Sequence, residues 1–339
     1  MLRCPRKWSA KKSYRSTRSS KVATPVTIPA VVPKPRAQTG DAVARLVVLA
    51  FAASILLITA ILVRELWVTS DLSRHKFGLG FLSSSLWNPV TEEFGALPFL
   101  YGTAVTSLVA MLIAVPLGLG AAIFLSEMAP PRASNVLTFM IELLAAIPSV
   151  IYGLLGLFAL VPLMREYVEP FLKSVFGFLP LFKGPVFGLD YLSAGVILAV
   201  MTVPFIISVS REALLAVPRE QREAALALGA TRWETTWKVV VPYARLGISG
   251  SVFLGLARAL GETMAVTMVI GNSPSVHASL LSPGYSIAAV IANEFSEATT
   301  AMYQSALVEL GLVLFLMTIV INALARIMIM ATTRKGSKR

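Results

Sequence analysis

Two residues of opposite charge, Arg258 and Glu262, lie inside a long apolar stretch of the chain, residues 247–271. If that stretch crosses a membrane as a helix, Arg258 lies ~12 residues from its start near residue 246, or ~18 Å at 1.5 Å per residue, close to the middle of a bilayer. An unpaired charge at that depth costs at least about 2.5–3.5 kcal/mol on insertion scales. Residues four apart share a helix face, so Glu262 is expected one turn further along, within reach of Arg258.

This pair supports two interpretations. An arginine guanidinium offers a planar fork of N–H donors that suits an oxyanion, and a neighbouring carboxylate orients the fork and competes for it, so that an anion held by Arg258 is released again. Gly255 and Gly261 would let another helix, or an anion, come close. The alternative is a static ion pair that locks helix packing. Ionisable groups inside a membrane more often serve function, so we expect Arg258 and Glu262 to line a path for an anion.

The composition of the chain supports the membrane setting. Of 339 residues, 56% are hydrophobic and 14% are charged, and the mean hydropathy is +0.74, whereas soluble proteins carry about 25% charged residues. A helix needs about 20 apolar residues to cross the hydrocarbon core, and backbone groups in lipid must find partners within their own segment. We therefore predict an all-α polytopic membrane protein with six transmembrane helices. They span about 43–63, 99–125, 136–163, 191–210, 247–271 and 305–330.

The net charge of +12 is distributed unevenly. Residues 1–40 hold ten Lys and Arg and no acidic residue, and residues 211–245 hold six Lys and Arg. The three segments that six crossings place on the opposite side, 64–98, 164–190 and 272–304, hold three, three and none. Lys and Arg are enriched in cytoplasmic loops, so both termini are expected in the cytoplasm. The basic excess is thus a topology signal and does not indicate nucleic acid as a partner.

The chain divides by composition into three parts. Residues 1–42 are rich in Lys, Arg, Ser, Thr and Pro, which predicts a disordered basic cytoplasmic tail beside anionic membrane lipid, with an organelle transit peptide as the alternative. Residues 43–330 form the predicted six-helix transmembrane domain, and residues 331–339 form a basic C-terminal tail. Cys4 is the only cysteine, so no internal disulfide is possible. The sequence predicts neither a metal site nor a cofactor.

The basic loop between the fourth and fifth predicted spans, residues 211–245, contains a distinctive pattern. It reads Glu223-Ala224-Ala225-Leu226-Ala227-Leu228-Gly229 and, after nine further residues, Val239-Val240-Val241-Pro242. The alanines sustain a first helix, Gly229 permits the left-handed turn that ends it, and Pro242 marks the entry to the next span. The loop is therefore predicted to form a helix–turn–helix.

This pattern resembles the EAA motif of ABC importer permeases, E-A-A-x3-G-x9-I-x-L-P, with valine in place of both the isoleucine and the leucine. The motif also lies where that family has it, in a cytoplasmic loop before the penultimate span. The chain has no G-x-x-x-x-G-K-[ST] sequence to cradle nucleotide phosphates, so it is not expected to be an enzyme. The resemblance implies that residues 211–245, hereafter the coupling loop, contact a separate ATPase. The residues of that contact would be Glu223, Ala224, Ala225, Gly229 and Pro242.

Three further stretches resemble the phosphate permeases of the PstC type, and the resemblance covers residues 43–330. The stretches are Ile141-Glu142-Leu143-Leu144-Ala145-Ala146-Ile147-Pro148-Ser149-Val150-Ile151-Tyr152-Gly153, Ala257-Arg258-Ala259-Leu260-Gly261-Glu262-Thr263-Met264-Ala265 and Val290-Ile291-Ala292-Asn293-Glu294-Phe295. The resemblance implies a type I ABC importer permease architecture in a bacterial inner membrane. It also implies three partners: a second homologous permease, a dimeric cytoplasmic ATPase and a periplasmic or extracellular phosphate-binding protein. The Arg258/Glu262 motif is characteristic of that family.

The function implied by this resemblance is that of the permease subunit of an ATP-driven phosphate importer, forming half of the translocation path. Two alternatives stay open. A permease of the same architecture for another oxyanion, such as sulfate, molybdate or phosphonate, is separated from it only by family resemblance. A stand-alone secondary transporter or membrane sensor would need no ATPase. However, an ion-coupled carrier usually has more intramembrane acids or broken-helix repeats than this sequence shows.

Overall fold

Helices account for most of the computed structural model, which describes residues 39–336 and the side chains of residues 41–327. The predicted basic tail at residues 1–42 therefore lies almost wholly outside the described residues. Contacts divide the chain into two units, Met1–Leu57 and Ile58–Arg339. The described part of the first unit is the beginning of one helix, and all the other elements belong to the second unit.

The first third of the chain contains two long helices separated by two short ones and a small antiparallel ribbon. These elements are α1 (Thr39–Thr69), α2 (Asp71–Phe77), α3 (Gly80–Ser83), β1 (Trp87–Asn88), β2 (Glu93–Phe94) and α4 (Leu97–Ile123). The middle of the chain is helical. Its helices are α5 (Pro131–Ala145), α6 (Ser149–Leu155), α7 (Val161–Leu163), α8 (Glu169–Phe176) and α9 (Tyr191–Leu215), with a 3-10 turn at Pro180–Phe182.

The last third of the chain begins with short helices, continues through a long one, and ends with the longest. These are α10 (Arg219–Ala227), α11 (Arg232–Thr235), α12 (Val241–Gly261), α13 (Met264–Val269), α14 (Ile287–Glu294) and α15 (Ala301–Gly336). Within the described chain, six helical segments are long and apolar enough to cross a membrane, which confirms the predicted number. They are Asp41–Thr69, Leu97–Met128, Ser149–Phe176, Tyr191–Leu215, Arg232–Gly261 and Ala301–Ile327.

Two of the predicted spans are displaced by 10 residues or more in the structure, and the bounds of the other four differ by at most six. The third is Ser149–Phe176 and not 136–163. Pro148 disfavours helical backbone at the residue before it, so α5 ends at Ala145 and forms a separate 15-residue helix that is too short to cross. The fifth is Arg232–Gly261 and not 247–271. The part of the chain between the fourth and fifth spans is accordingly residues 216–231, shorter than the predicted loop at 211–245.

Four π-helical segments interrupt these spans, and each has the same cause. The segments are Phe124–Met128, Gly156–Leu160, Met164–Val168 and Thr236–Val240. The middle residue of each lies four positions before a proline, and the prolines are Pro130, Pro162, Pro170 and Pro242. A proline has no N–H for the carbonyl four residues earlier, and its ring clashes with that carbonyl. In the third and fifth spans, widening the turn relieves the clash without ending the helix, whereas the segment before Pro130 is the end of the second span.

Helices α4 and α9 pack against each other along their length at the centre of the second unit. Glycine makes this close approach possible at two points. A Cβ at Gly195 would lie 2.5 Å from Cγ1 of Val109, and one at Gly118 would lie 2.7 Å from Cγ2 of Ile206. Small residues at helix contacts are the usual means by which transmembrane helices come together, because packing replaces the hydrophobic effect in lipid.

The stretch Val290–Phe295, one of the three that resemble the PstC type, anchors a polar and aromatic cluster. Glu294 accepts hydrogen bonds from Nε1 of Trp87 at 2.8 Å and from the hydroxyl of Tyr303 at 2.6 Å. Asn293 donates to the hydroxyl of Tyr285 at 3.0 Å. These bonds join the β1–β2 ribbon, α14 and α15. This stretch therefore has a structural role.

Candidate functional site

Arg258 lies in the last turn of α12, and the rest of the chain leaves its side chain exposed. Its guanidinium carbon is 6.0 Å from the centre of the Phe205 ring on α9, and its charge is close enough to act on the Tyr152 hydroxyl of α6. Within residues 41–327 no carboxylate lies within 4.0 Å of the guanidinium. Its N–H groups are therefore available to a ligand or to another chain.

Glu262 does not stand on the helix face that the sequence predicts for it. Helix α12 ends at Gly261, and Glu262 has extended backbone with φ −70° and ψ 127°. Its side chain turns toward α13 and accepts from the backbone N–H of Ala265 at 3.5 Å. The expected i,i+4 pairing with Arg258 is therefore wrong. The reason is that the apolar run 247–271 contains a helix end, which a count of hydrophobic residues does not detect.

A second helix break lies beside this one. Helices α6 and α13 begin just after the breaks at Pro148 and Glu262, and they pack closely: a Cβ at Gly153 would lie 3.1 Å from the Cα of Ala265 and 2.5 Å from Sδ of Met268. The two interruptions are therefore neighbours. Irregular backbone at membrane depth is tolerated where protein or water covers it, not lipid. The exposed surface around Arg258 thus belongs against another protein or a water-filled path.

Tyr152 is a residue of this region that the sequence did not single out for a role. Its hydroxyl donates to the carbonyl of Leu144 at 2.8 Å, across the break at Pro148, and its side chain is buried. The charge of Arg258 acts on its hydroxyl. Its signals in the sequence are its place four residues after Pro148 and its position in the PstC-like stretch 141–153.

The coupling loop has the predicted helix–turn–helix form. Helix α10 begins after Pro218 and ends where Gly229 takes a left-handed φ of +88°. Thr231 and Glu234 then form a reciprocal capping box at the start of α11. Glu223 and Ala224 are exposed, and Ala225 is half-buried.

Pro242 is also exposed, and it lies at the beginning of α12 beyond the last π segment. Three large apolar side chains of the coupling loop face outward as well. Leu228 is 90% exposed, and Trp233 and Trp237 are 57% and 47% exposed with their rings 5.6 Å apart in an edge-to-face arrangement. This surface combines apolar groups and small alanines, which suits contact with another protein.

An ion pair that the sequence did not reveal holds the coupling loop to the spans. Nη2 of Arg222 lies 2.9 Å from Oε1 of Glu127, at the end of the second span, and Nε lies 3.3 Å from Oε2. The two residues are 95 positions apart, and no spacing rule relates them. The one indication in the sequence is that Glu127 is a charge at the edge of an apolar run.

Two buried carboxyl groups meet at the other end of α9. Asp190 caps this helix by accepting from the backbone N–H of Ser193 at 2.7 Å, and Glu169 of α8 lies against it; neither side chain is exposed. Burial, reinforced by the nearby Glu169, raises the pKa of Asp190 to about 7. Asp190 therefore binds a proton more readily than an ordinary aspartate.

The described residues hold no group of three or more His, Cys, Asp or Glu side chains that could bind a metal ion. What they present is six apolar spans, an exposed arginine beside two helix breaks, and an outward-facing Ala/Gly motif. That arginine, Arg258, lies in the last turn of the fifth span and not near its middle as the sequence predicted. The fold and these surfaces define a polytopic transport permease.

Comparison with known proteins gives the particular family. A family model described as the inner membrane component of binding-protein-dependent transport systems matches residues 114–334. The phosphate transport system permease protein PstC of Xylella fastidiosa (strain 9a5c) is 53% identical over 262 residues, covering 76% of this chain and 81% of that protein. PstC of Pasteurella multocida (strain Pm70) is 47% identical over 293 residues, or 85% and 91% of the two chains. The chain belongs to this family of inner membrane transport components, in its PstC group.

A solved structure supports the same fold. A chain of a bacterial alginate ABC transporter, crystallised in complex with its alginate pentasaccharide-bound periplasmic protein, superposes with a TM-score of 0.53 and 16% sequence identity. The match covers 84% of this chain and 94% of that chain. The predicted ABC importer permease fold and the multi-pass location in an inner membrane are thereby confirmed.

Proposed function

We propose that this chain is the membrane-spanning subunit of an ATP-driven phosphate importer. The observation that carries the proposal is the identity of up to 53% to permeases named for phosphate transport, spread over three quarters of the chain. ATP hydrolysis belongs to a partner, because the sequence has no phosphate-cradling loop. This subunit contributes one half of the path, and a second, related permease contributes the other.

Arg258 is the residue we assign to the anion. Its guanidinium is exposed, has no carboxylate within 4.0 Å in the described part of the chain, and lies beside Tyr152 and two helix breaks. A phosphate oxyanion would accept bidentate, charge-assisted hydrogen bonds from it. Glu262 acts in this proposal on the backbone of the break, where its carboxylate accepts from the N–H of Ala265 in the first turn of α13. It also places a negative charge near the path that opposes tight binding.

The ATPase contact is assigned to the coupling loop. Glu223 and Ala224 are exposed on α10 and Ala225 is half-buried next to them, and Gly229 makes the turn that leads into α11. Pro242 widens the last turn before α12. Closure of an ATPase dimer would push on this loop from the cytoplasm, where both termini of the chain would also lie. The movement then reaches the spans around Arg258, and access to the path switches sides.

The remaining partner is a binding protein that delivers phosphate from outside. The family description names such dependence, and we extend it to a phosphate-binding protein on the face opposite the coupling loop. The predicted basic tail at residues 1–42 would lie at the lipid surface on the cytoplasmic side.

The test is transport by the reconstituted complex. The chain would be purified with its co-purifying permease and ATPase and placed in vesicles with the binding protein. Uptake of radiolabelled phosphate is expected to require ATP and to withstand an excess of sulfate, molybdate or phosphonate. If one of those anions displaced phosphate, the permease would be assigned to that anion. Uptake by this chain without an ATPase would contradict the proposal of an ATP-driven importer.

A further inference from the structure

Helix α10 carries the glutamate and alanines of the EAA-like motif, yet none of its nine residues is buried. A helix this short is not stable by itself in water and takes its position from its contacts. Within residues 41–327, every hydrogen bond from a side chain of α10 is made by Arg222. Arg222 therefore provides the side-chain hydrogen bonds that attach α10 to the ends of the second and fourth spans, beside the contacts of α10 with Thr236–Val240.

The Arg222 guanidinium makes four hydrogen bonds to three residues. Nε and Nη2 reach the two carboxylate oxygens of Glu127 at 3.3 and 2.9 Å, and Nη2 also donates to the carbonyl of Leu214 at 2.8 Å. Nη1 donates to the carbonyl of Val217. The side chains of Arg222 and Glu127 are 20% and 11% exposed. A charge-assisted, forked arrangement with little water around it has a well-defined geometry.

The acceptors belong to the ends of two central spans. Glu127 lies in the π segment that ends the second span, and Leu214 and Val217 lie at the end of α9. Carbonyls at a helix C-terminus have no helical donor, and a cation there also interacts favourably with the helix dipole. Because α4 and α9 pack along their length, a displacement that enters through Arg222 reaches the centre of the fold.

Open space lies on both sides of the ion pair. A cavity of about 400 Å³ is bounded by Ser126, Arg219 and Glu223, and another of about 230 Å³ is bounded by Leu226, Arg232 and Thr235; both include Arg222 and Glu127 in their walls. Packed side chains therefore do not transmit force between α10 and the second span at these places. The ion pair bridges the gap.

We propose that Arg222 and Glu127 are positioning residues that make α10 move as one body with the ends of α4 and α9, so that the push on the motif becomes movement of the spans. This inference rests on the proposed coupling to an ATPase. The two residues contact neither the anion nor the nucleotide. Their role is to transmit the displacement, so their loss separates hydrolysis from transport.

The first test compares transport with hydrolysis in the reconstituted complex. Glu127→Gln removes the charge with little change of volume, and Arg222→Lys keeps the charge but cannot reach all three acceptors. Both are expected to lower phosphate uptake per ATP hydrolysed roughly tenfold, as the loss of a charge-assisted bond implies. The ATPase should still co-purify. Arg64→Gln is the matched control, because it removes an exposed ion pair of the first span, outside the coupling loop.

The second test measures the movement itself. In a Cys4→Ser background, spin labels are placed at Gln221, exposed on α10, and at Gly120, where an added side chain meets no atom within 4 Å. The distance between the labels is expected to stay within about 2 Å between the nucleotide-free and the ATP-trapped complex, about the size of a small helix shift. In Glu127→Gln it should change with nucleotide or broaden.

The outcomes separate the two proposals. An unchanged uptake-to-hydrolysis ratio in both variants, or an equal loss in Arg64→Gln, overturns the role of the ion pair. A nucleotide-independent label distance in Glu127→Gln overturns it as well, even if a variant complex is too unstable to assay for transport. Failure of the unmodified complex to transport phosphate would instead count against the proposed function, and the label distances would still decide whether α10 and the second span move together.

Discussion

The hydroxyl of Tyr152 donates a 2.8 Å hydrogen bond to the carbonyl of Leu144. In an uninterrupted helix that carbonyl would accept from residue 148, which is Pro148 and has no N–H. Tyr152 thus replaces the missing donor and joins α5 to α6 across their break. The same side chain lies within range of the Arg258 charge, so it connects the shape of the break to the proposed path.

Removing this hydroxyl is the most conservative test of the break. Tyr152→Phe removes one hydrogen bond to the Leu144 carbonyl, and we expect a loss of about 1 kcal/mol in stability. Phosphate uptake should fall while the complex still assembles. Uptake and the thermal midpoint of the purified complex would be measured together, with Tyr167→Phe, an exposed tyrosine of the same span, as the control. Equal phosphate uptake in the Tyr152→Phe and Tyr167→Phe variants would contradict a role for Tyr152 in the transport path.

Replacement of Arg258 tests the proposed anion contact. Arg258→Gln should abolish phosphate uptake with the complex still assembled, because a neutral amide provides neither the charge nor the fork that an oxyanion needs. Arg258→Lys should retain part of the uptake with weaker apparent affinity, since the charge remains and the bidentate geometry is lost. Uptake would be followed over a range of phosphate concentrations. Full activity of Arg258→Gln would reduce the residue to a packing role.

Gly229 tests the shape of the coupling loop. Its φ of +88° lies in the left-handed region, where a residue with a side chain costs about 1–2 kcal/mol, least for asparagine. We expect Gly229→Val to uncouple ATP hydrolysis from uptake, Gly229→Asp to do so by adding a charge at the contact, and Gly229→Asn to remain close to the unmodified protein. Glu223→Lys should also uncouple, through the exposed motif face. The measured quantity is phosphate transported per ATP, and normal coupling in Gly229→Val would contradict the assignment.

The raised pKa of Asp190 leads to a prediction of how the folding stability of the protein depends on pH. Its pKa of about 7 lies above the ordinary value of 3.8, so the folded protein binds the proton more tightly than the unfolded chain does. The stabilisation is fully present below about pH 4 and is lost as the pH rises through about 7. Asp190→Asn keeps an acceptor for Ser193 and removes the charge. It should raise the thermal midpoint at pH 8 more than at pH 5, whereas the exposed Asp71→Asn should not.

Much of the architecture follows from the sequence. In six runs of about 20 apolar residues, the backbone N–H and C=O groups find their hydrogen-bond partners in lipid by forming helices. Gly229 indicates the turn of the coupling loop, because few residues other than glycine accept a positive φ. The predicted bounds of the third and fifth spans were wrong because they were read from hydrophobicity alone. Hydrophobicity measures the free energy of transfer into lipid. It changes little where a helix ends inside an apolar run, as happens at Pro148 and Glu262.

The contacts that define the candidate site were harder to foresee. Arg258 is conspicuous because a charge in an apolar run is costly, but its neighbours Tyr152 and Phe205 come from other helices, and no periodicity relates them. The Arg222–Glu127 pair joins positions 95 residues apart for the same reason. Long-range pairs depend on how the helices are arranged, and that arrangement is set by packing of the whole fold.

The π segment Thr236–Val240 has a consequence for the direction in which Arg258 points. A π turn contains about one residue more than an α turn, and one residue corresponds to about 100° of rotation around the helix axis. Every side chain beyond the segment is therefore rotated relative to Trp233 by roughly a quarter of a circle. Pro242, which lies 16 residues before Arg258 and causes the π segment, thus helps to determine the direction in which the Arg258 side chain leaves the helix. A helical wheel drawn straight through the fifth span would place that charge on the wrong side.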